Sequence, residues 1–272
     1  MSMSVAIQVR RWTVLMGAGV LACGALSPRA ARADDPPPGW SGKGQLGYVM
    51  SRGNSDSDSA NAKLDLFLVR DDWKHWLSLD GLYGRSAGIT SAQRWDANLQ
   101  SDYKVTERLY AFGALNYQDD RFSGFQYQAT VSGGMGYKFI DSDTTRLAAQ
   151  LGAGYRSLRP EQLIKDDSGA VTQRIPGETD TEAVGTAGVD FDHAFNSSTK
   201  ILDKLRIESG SSNTSINNDL ALQVQMSKKL SLAAGFGVRH NTKPPAGLKT
   251  TDTVTTLNLV YAFSEAPPPP AQ

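Results

Sequence analysis

The chain has 272 residues, with 28 basic and 28 acidic side chains and a formal net charge of zero. This balance lacks the excess of Lys and Arg that nucleic-acid binding requires, so we expect no nucleic-acid partner. Cys23 is the only cysteine, which excludes an intramolecular disulfide.

The first 33 residues have the pattern of a secretory signal peptide. Arg10 and Arg11 precede an apolar stretch over residues 12–26, and residues 31–33 (Ala-Arg-Ala) form a small-x-small cleavage site. Cleavage there would remove four Arg and no acid, leaving 24 basic and 28 acidic residues and a net charge of about −4. We expect residues 34–38, which are acidic and Pro-rich, to form a flexible leader.

Most of the remaining chain alternates between apolar and polar residues with a period of two, which is typical of β-strands with two unlike faces. Around Trp95, for example, Arg94 and Asp96 lie on the opposite parity. We count about twelve strand candidates. Their apolar faces include, in chain order, Leu46, Ala62, Leu77, Trp95, Tyr127, Leu147, Ala183, Leu205, Leu220, Leu230 and Leu257, with a further candidate over residues 109–118.

The candidate over residues 109–118 has no clear apolar face. Tyr110 and Phe112 lie on one parity, whereas Leu115 and Tyr117 lie on the other. The alternation alone leaves both orientations open.

The energetic cost of charges decides which face meets lipid. An Arg or Lys facing lipid at mid-membrane costs roughly 2–4 kcal/mol, so residues such as Lys63, Arg146 and Arg239 must point inward or lie near a rim. A soluble barrel shows the same alternation with the faces exchanged, but Ala and Gly would fill its wide interior poorly. We therefore predict a closed antiparallel transmembrane β-barrel of about twelve strands over residues 39–263. Aromatic residues near the strand ends fit interfacial girdles: Tyr48, Tyr83, Trp95, Tyr103, Tyr155 and Tyr261.

The connections alternate between short and longer segments, as in outer-membrane barrels. Predicted periplasmic turns lie at residues 71–72, 106–107, 141–144, 196–198 and 227–229. Predicted outer loops lie at residues 86–91, 119–124, 159–180, 209–216 and 241–251, and the segment 53–58 is short for an outer loop.

Charges on the inward parity are the candidate functional residues. They are Arg94, Asp96, Asp102, Lys104, Lys204, Arg206 and Glu208. They could line a narrow aqueous path that selects small solutes or ions. Alternatively, they could pair across the lumen and close it, and the sequence leaves both interpretations open.

The sequence contains no identifiable catalytic or metal-binding constellation, so we expect no cofactor. His240 could in principle join Ser209, Ser211 or Ser212 in a barrel-wall hydrolase, but no spacing identifies a nucleophile. The small residues of the 133–136 segment (Gly-Gly-Met-Gly) fit a crowded barrel wall better than a phosphate-binding loop, because no helix follows them.

Several segments in this order resemble the family of salt-induced outer-membrane proteins, a domain family of unknown function from Gram-negative bacteria. They are Gly44-Gln45-Leu46-Gly47, Ser51-Arg52-Gly53-Asn54, residues 119–124, Gly133 to Tyr137, Gly152-Ala153-Gly154-Tyr155-Arg156, residues 249–252 and Leu259 to Phe263. The resemblance implies an integral outer-membrane barrel and supplies no site residues. A Pro-rich tail over residues 264–272 departs from the usual aromatic chain end.

From these observations we expect a passive narrow pore or an envelope-integrity protein, related to salt or osmotic stress through the resemblance. The expected partners are outer-membrane lipid, lipopolysaccharide and the barrel-assembly machinery. The alternatives are a barrel-wall lipid or ester hydrolase and a surface adhesion or contact protein acting through residues 159–180.

Overall fold

The computed structural model describes residues 39–51, 57–166, 170–244 and 248–264. The predicted signal peptide, the leader and residues 265–272 lie outside this range. Within this range, no helix is long and apolar enough to span a membrane. The strands are β1 Gly39–Ser51, β2 Ser57–Arg70, β3 Trp73–Ser86, β4 Ile89–Lys104, β5 Leu109–Asp120, β6 Phe125–Asp141, β7 Thr145–Lys165, β8 Val171–Pro176, β9 Asp180–Ala194, β10 Thr199–Ser209, β11 Thr214–Gln225, β12 Leu230–Asn241 and β13 Thr251–Ser264.

Twelve of these strands close into an antiparallel ring. Each strand pairs with its neighbours along the chain, and β1 pairs with β13, with Leu46 opposite Leu259. The strand β8 is not part of the ring, because it pairs with the last residues of β7, and β7 continues the ring to β9. The predicted closed barrel of twelve strands is confirmed. We call its two ends the turn end, where the short connections lie, and the loop end.

The outer wall carries the apolar parity. Trp95, Leu99 and Tyr103 are exposed along β4, whereas the side chain of Arg94 is only 11% exposed. Trp95 and Tyr103 are separated by about 26 Å along the strand at about 3.3 Å per residue, comparable with an apolar band of about 25 Å once the strand is tilted. All six predicted girdle aromatics are exposed. Trp73, which the prediction missed, packs against Tyr103 with ring centroids 5.0 Å apart and the ring planes tilted by 52°.

The structure resolves the ambiguous orientation of β5. Leu115 and Tyr117 are exposed on the outer wall, whereas Phe112 is buried in the lumen and Tyr110 faces it. The reason is the space that glycines leave on the neighbouring strand. A Cβ atom on Gly136 would overlap the Tyr110 ring, so this glycine of the 133–136 segment accommodates an inward aromatic side chain.

The turn end is built from local hydrogen bonds. In four of its turns a short polar side chain accepts a hydrogen bond from the backbone N–H three residues later. The pairs are Thr106 from Leu109 at 2.9 Å, Ser142 from Thr145 at 3.1 Å, Asn196 from Thr199 at 2.9 Å and Ser227 from Leu230 at 3.2 Å. Such turns reverse an antiparallel pair without tertiary support. All five predicted short turns are present.

Two predictions for the loop end were wrong. The predicted loop over residues 86–91 is a two-residue turn, because Ala87 and Gly88 both have positive φ angles, 49° and 79°, as tight hairpins require. The predicted loop over residues 159–180 is largely a β-hairpin formed by the end of β7 and by β8. Residues 52–56 of the first loop lie outside the described residues.

Candidate functional site in the barrel lumen

The barrel encloses a polar cavity of about 170 Å³. Its wall is contributed by opposing sides of the ring, and its lining includes Lys63, Trp76, Asp96, Gln150, Lys204 and Glu208. These residues lie on the inward parity, opposite to the apolar residues of the same strands. A polar interior enclosed by an apolar outer wall is the arrangement that membrane barrels share.

One side chain crosses the lumen completely. The ammonium of Lys204, on β10, lies 4.0 Å from the centroid of the Trp76 ring, on β3. The two strands are six positions apart in the ring of twelve, so they stand on opposite walls. Trp76 in turn donates a hydrogen bond to Asp65 at 3.2 Å. This cation–π contact joins opposite walls and narrows the lumen at this level.

A second crossing comes from the same strand, four residues nearer the loop end. The carboxylate of Glu208 accepts hydrogen bonds from Asn116 at 3.2 Å and from Thr130 at 2.8 Å. Asn116 and Thr130 belong to β5 and β6, four and three strands away from β10 around the ring. The strand β10 therefore constricts the lumen at two levels.

A layer of neutral polar groups lies beside the first crossing. Gln150 is buried and accepts hydrogen bonds from Gln100 at 3.2 Å and from Tyr110 at 3.4 Å. Gln100 also donates to Asp102 at 2.8 Å. These contacts join β4, β5 and β7 inside the barrel and fill one side of the lumen.

Many lumen charges are paired along the wall. The ion pairs, with nitrogen–oxygen distances, are Arg94–Asp96 at 2.8 Å, Arg94–Asp80 at 3.7 Å, Lys43–Asp65 at 3.7 Å, Arg206–Asp190 at 2.8 Å and Arg239–Asp219 at 2.8 Å. Neighbouring strands supply the partners in these pairs, except in Arg94–Asp96, whose members share β4. Pairing lowers the cost of placing charges in a narrow interior.

The loop end is held by a buried cluster that we call the rim clamp, formed by Arg156, Glu182, Ser211, Ser212 and Asn213. The Arg156 side chain is 1% exposed, and it donates to Glu182 and, at 2.7 Å, to the carbonyl of Asn213. Glu182 also accepts hydrogen bonds from Ser211 Oγ at 2.9 Å and from the Ser212 amide at 2.8 Å. The clamp fixes the β10–β11 loop against β7 and β9.

The structure distributes the seven candidate residues over three places. Asp96, Lys204, Arg206 and Glu208 line the cavity. Arg94 and Asp102 lie in the wall next to it, bonded to Asp96 and Gln100. Lys104 lies at the turn end and pairs with Glu107 of the following turn at 2.7 Å, outside the cavity lining.

Sequence reasoning missed the neutral members of the site. Trp76, Gln150 and Tyr110 share the parity of the lumen charges, and that parity was the available signal. As neutral side chains they carry no charge that would distinguish them from other polar residues of the same strands.

The residues considered for a hydrolase bond to other partners. His240 Nδ1 lies 2.8 Å from Thr251 Oγ1, Ser209 contacts Thr214, and Ser211 and Ser212 bond to Glu182. Among the described residues, no group of three or more His, Cys, Asp or Glu side chains could hold a metal ion.

Together, the closed ring, the apolar outer wall and the polar lumen define a β-barrel of the outer-membrane type. The chain belongs to the family described as "Protein of unknown function, DUF481", whose model matches residues 44–263. A curated relative is the uncharacterized protein YdiY of Escherichia coli (strain K12), 22% identical over 230 residues that cover 82% of this chain and 83% of the relative.

Similar solved structures include the NanC porin, with a TM-score of 0.46, 11% identity, and coverage of 83% of this chain and 100% of that one. Another is the COG4313 outer membrane channel from Pseudomonas putida F1, with a TM-score of 0.46, 9% identity, and coverage of 88% and 100%. These likenesses concern the chain trace alone.

Proposed function

We propose that this protein is an integral outer-membrane barrel that acts as a narrow passive pore for ions and small polar solutes. The observation that carries the proposal is the polar cavity, which opposing walls line inside a ring whose outer face is apolar. By the general arrangement of such barrels, the turn end faces the periplasm and the loop end faces outward. Lipid and lipopolysaccharide are then the partners of the outer wall, and the barrel-assembly machinery inserts the chain.

The side chains of Lys204 and Glu208, which cross the lumen from β10, limit the size of the solutes that can pass. Twelve-stranded barrels lie between eight-stranded barrels, which side chains fill, and sixteen-stranded porins, which hold an aqueous channel. Lys204 and Glu208 each reach other walls of this barrel, so a solute must pass beside them. We therefore expect conductance for small ions and exclusion of larger solutes.

The paired charges favour a second candidate function, a sealed wall protein that supports the envelope under salt or osmotic stress. In this second function, the ion pairs along the wall and the crossing side chains of Lys204 and Glu208 close the lumen permanently. The two functions differ in conductance, because only the pore passes ions at a steady voltage.

Planar-bilayer recording of the purified chain separates them. We expect discrete conductance steps, and Lys204→Ala should enlarge them because it removes the side chain that spans to Trp76. Lys228→Ala is the matched control, since Lys228 is exposed in a turn-end connection and should leave the steps unchanged. Absence of steps in the parent chain and in Lys204→Ala, over a range of salts and voltages, would refute the pore and support the sealed wall.

A further inference from the structure

The lumen charges are unevenly distributed along the barrel axis. On β10, Lys204 lies nearer the turn end and Glu208 nearer the loop end. On β3, Trp76 and the Lys204 ammonium above it precede Asp80 in the direction of the loop end. The Lys204 ammonium therefore lies nearer the turn end than the carboxylates of Glu208 and Asp80 do.

The positive group surrounds Asp65. Lys43 pairs with it at 3.7 Å, and Lys63 and Lys204 also lie within electrostatic range. The cation of Lys204 is held over Trp76, which hydrogen-bonds the same aspartate. Three lysines around one carboxylate leave an excess of two positive charges in the half of the lumen near the turn end.

The negative group lies toward the loop end. Arg94 is within electrostatic range of Asp80, Asp96, Asp120 and Asp219. Arg239 pairs with Asp219 at 2.8 Å, and Glu208 is bonded to neutral groups. These five carboxylates against two arginines leave an excess of three negative charges.

Other lumen charges cancel locally or add to this difference. Near the turn end, Asp102 is within electrostatic range of Lys74, and Lys200 is within range of Asp192 and Arg146. Near the loop end, Asp252 adds a further carboxylate within range of Asp120. Arg206 and Asp190 form a bidentate pair at 2.9 and 2.8 Å. Arg156 and Glu182 are paired in the rim clamp.

The border between the halves lies at the height of the register partners Lys63 and Asp80. The Lys63 charge is within electrostatic range of Asp65, toward the turn end, whereas the Asp80 carboxylate pairs with Arg94, toward the loop end.

From this distribution we infer that the lumen is a bipolar ion path that rectifies current, with the acidic half at the loop end and the basic half at the turn end. The inference rests on the proposed pore function and specifies its permeants as small ions of both signs. In a narrow low-dielectric path, fixed charges concentrate counter-ions, so cations accumulate in the acidic half and anions in the basic half.

The arrangement fixes the polarity of the rectification. With the loop end positive, cations enter through the acidic half while anions enter through the basic half, and both ions are concentrated inside. With the opposite voltage each ion meets the half of its own sign first, and the path is depleted. Current should therefore be larger when the loop end is positive.

A local potential of about one kT changes ion concentration about two- to threefold. We therefore expect the current with the loop end positive to exceed the current at the opposite voltage by a ratio of that order. The ratio should approach one at about 1 M salt, where the Debye length is only about 3 Å.

The test is single-channel recording of the mature chain at about 0.1 M and about 1 M salt. Insertion direction is assigned for each channel through Ser123→Cys in the β5–β6 loop, with an impermeant bulky thiol reagent added to one chamber. The expected result is a larger current with the loop end positive at low salt. Equal currents at both polarities, or the reverse polarity, would overturn the bipolar path while leaving the pore in place.

Charge variants make the test specific. Lys63→Gln removes one excess positive charge without touching the contact between Lys204 and Trp76, and should lower the ratio. Glu208→Gln should lower it from the other half, whereas Lys228→Gln should leave it unchanged. Heat-modifiable gel migration reports whether each variant still forms the barrel. A ratio that stays constant in both lumen variants would contradict the inference, and loss of all conductance in the parent chain would refute the pore itself.

Discussion

The outer and inner walls of this barrel follow different rules, although the same strands build both. The outer wall presents Leu, Val, Ala and aromatic side chains to a uniform apolar surrounding, where one apolar residue can replace another. The inner wall consists of specific contacts, such as Lys204 with Trp76 and Glu208 with Thr130. Outer positions are therefore defined by polarity alone, whereas inner positions are defined by partners.

The largest expected loss of stability follows a change on the inner wall, at the rim clamp. Glu182→Ala leaves the buried guanidinium of Arg156 without its carboxylate and removes the acceptor of Ser211 and Ser212. Breaking a buried pair in this way costs about 3–5 kcal/mol. Urea unfolding in lipid vesicles, followed by tryptophan fluorescence, measures this loss.

The control for the rim clamp is Glu178→Ala, because Glu178 is exposed in the short segment before β9. It should unfold like the parent chain. Equal stability of the two variants would show that the clamp contributes nothing.

On the outer wall, polarity should be the only requirement. Leu151 is 70% exposed on β7. Leu151 lies midway along the part of β7 that pairs with β9, from Thr145 to Leu158. Leu151→Arg should therefore destabilise the barrel by about 2–4 kcal/mol, the cost of an arginine near the membrane midplane. Leu151→Val, measured by the same urea titration, should have little effect. A harmless arginine would place this wall in water and contradict the membrane assignment.

The smallest expected loss of stability comes from adding a methyl group to a glycine. Two glycines that face different walls make the comparison. A Cβ atom on Gly136 would overlap the Tyr110 ring, whereas one on Gly113 meets nothing within 4 Å. Gly136→Ala should therefore cost about 1–3 kcal/mol through overpacking, and Gly113→Ala should stay within about 0.5 kcal/mol of the parent. Similar urea midpoints for both variants would mean that Tyr110 can turn away from the wall.

Much of the fold could be predicted from the alternation of apolar and polar residues. The period of two identified the twelve barrel strands, and turn residues such as Asn196 identified the short connections, because both signals act over a few residues. The loop end was less predictable. The turn at Ala87 and Gly88 lacks a strong turn signature, and the β7–β8 hairpin requires pairing between segments with little alternation.

The candidate site was only partly readable. Parity placed Asp96, Lys204, Arg206 and Glu208 on the inward face, and these residues line the cavity. Parity could not show that Lys204 reaches Trp76 on the opposite wall, because the two residues are 128 positions apart in sequence. The orientation of β5 also depends on tertiary structure, because Gly136 on the neighbouring strand leaves the space that the Tyr110 ring fills.

The amino-acid order by itself determined which face of each strand is apolar and where the chain reverses at the turn end. Both follow from local physics, since neighbouring side chains alternate in direction and short polar residues bond to the backbone nearby. Only the tertiary structure decided which side chains meet across the lumen, how β10 narrows it, and how Arg156 and Glu182 hold the rim. Those contacts depend on ring closure and register, which bring distant segments together and which no single segment encodes.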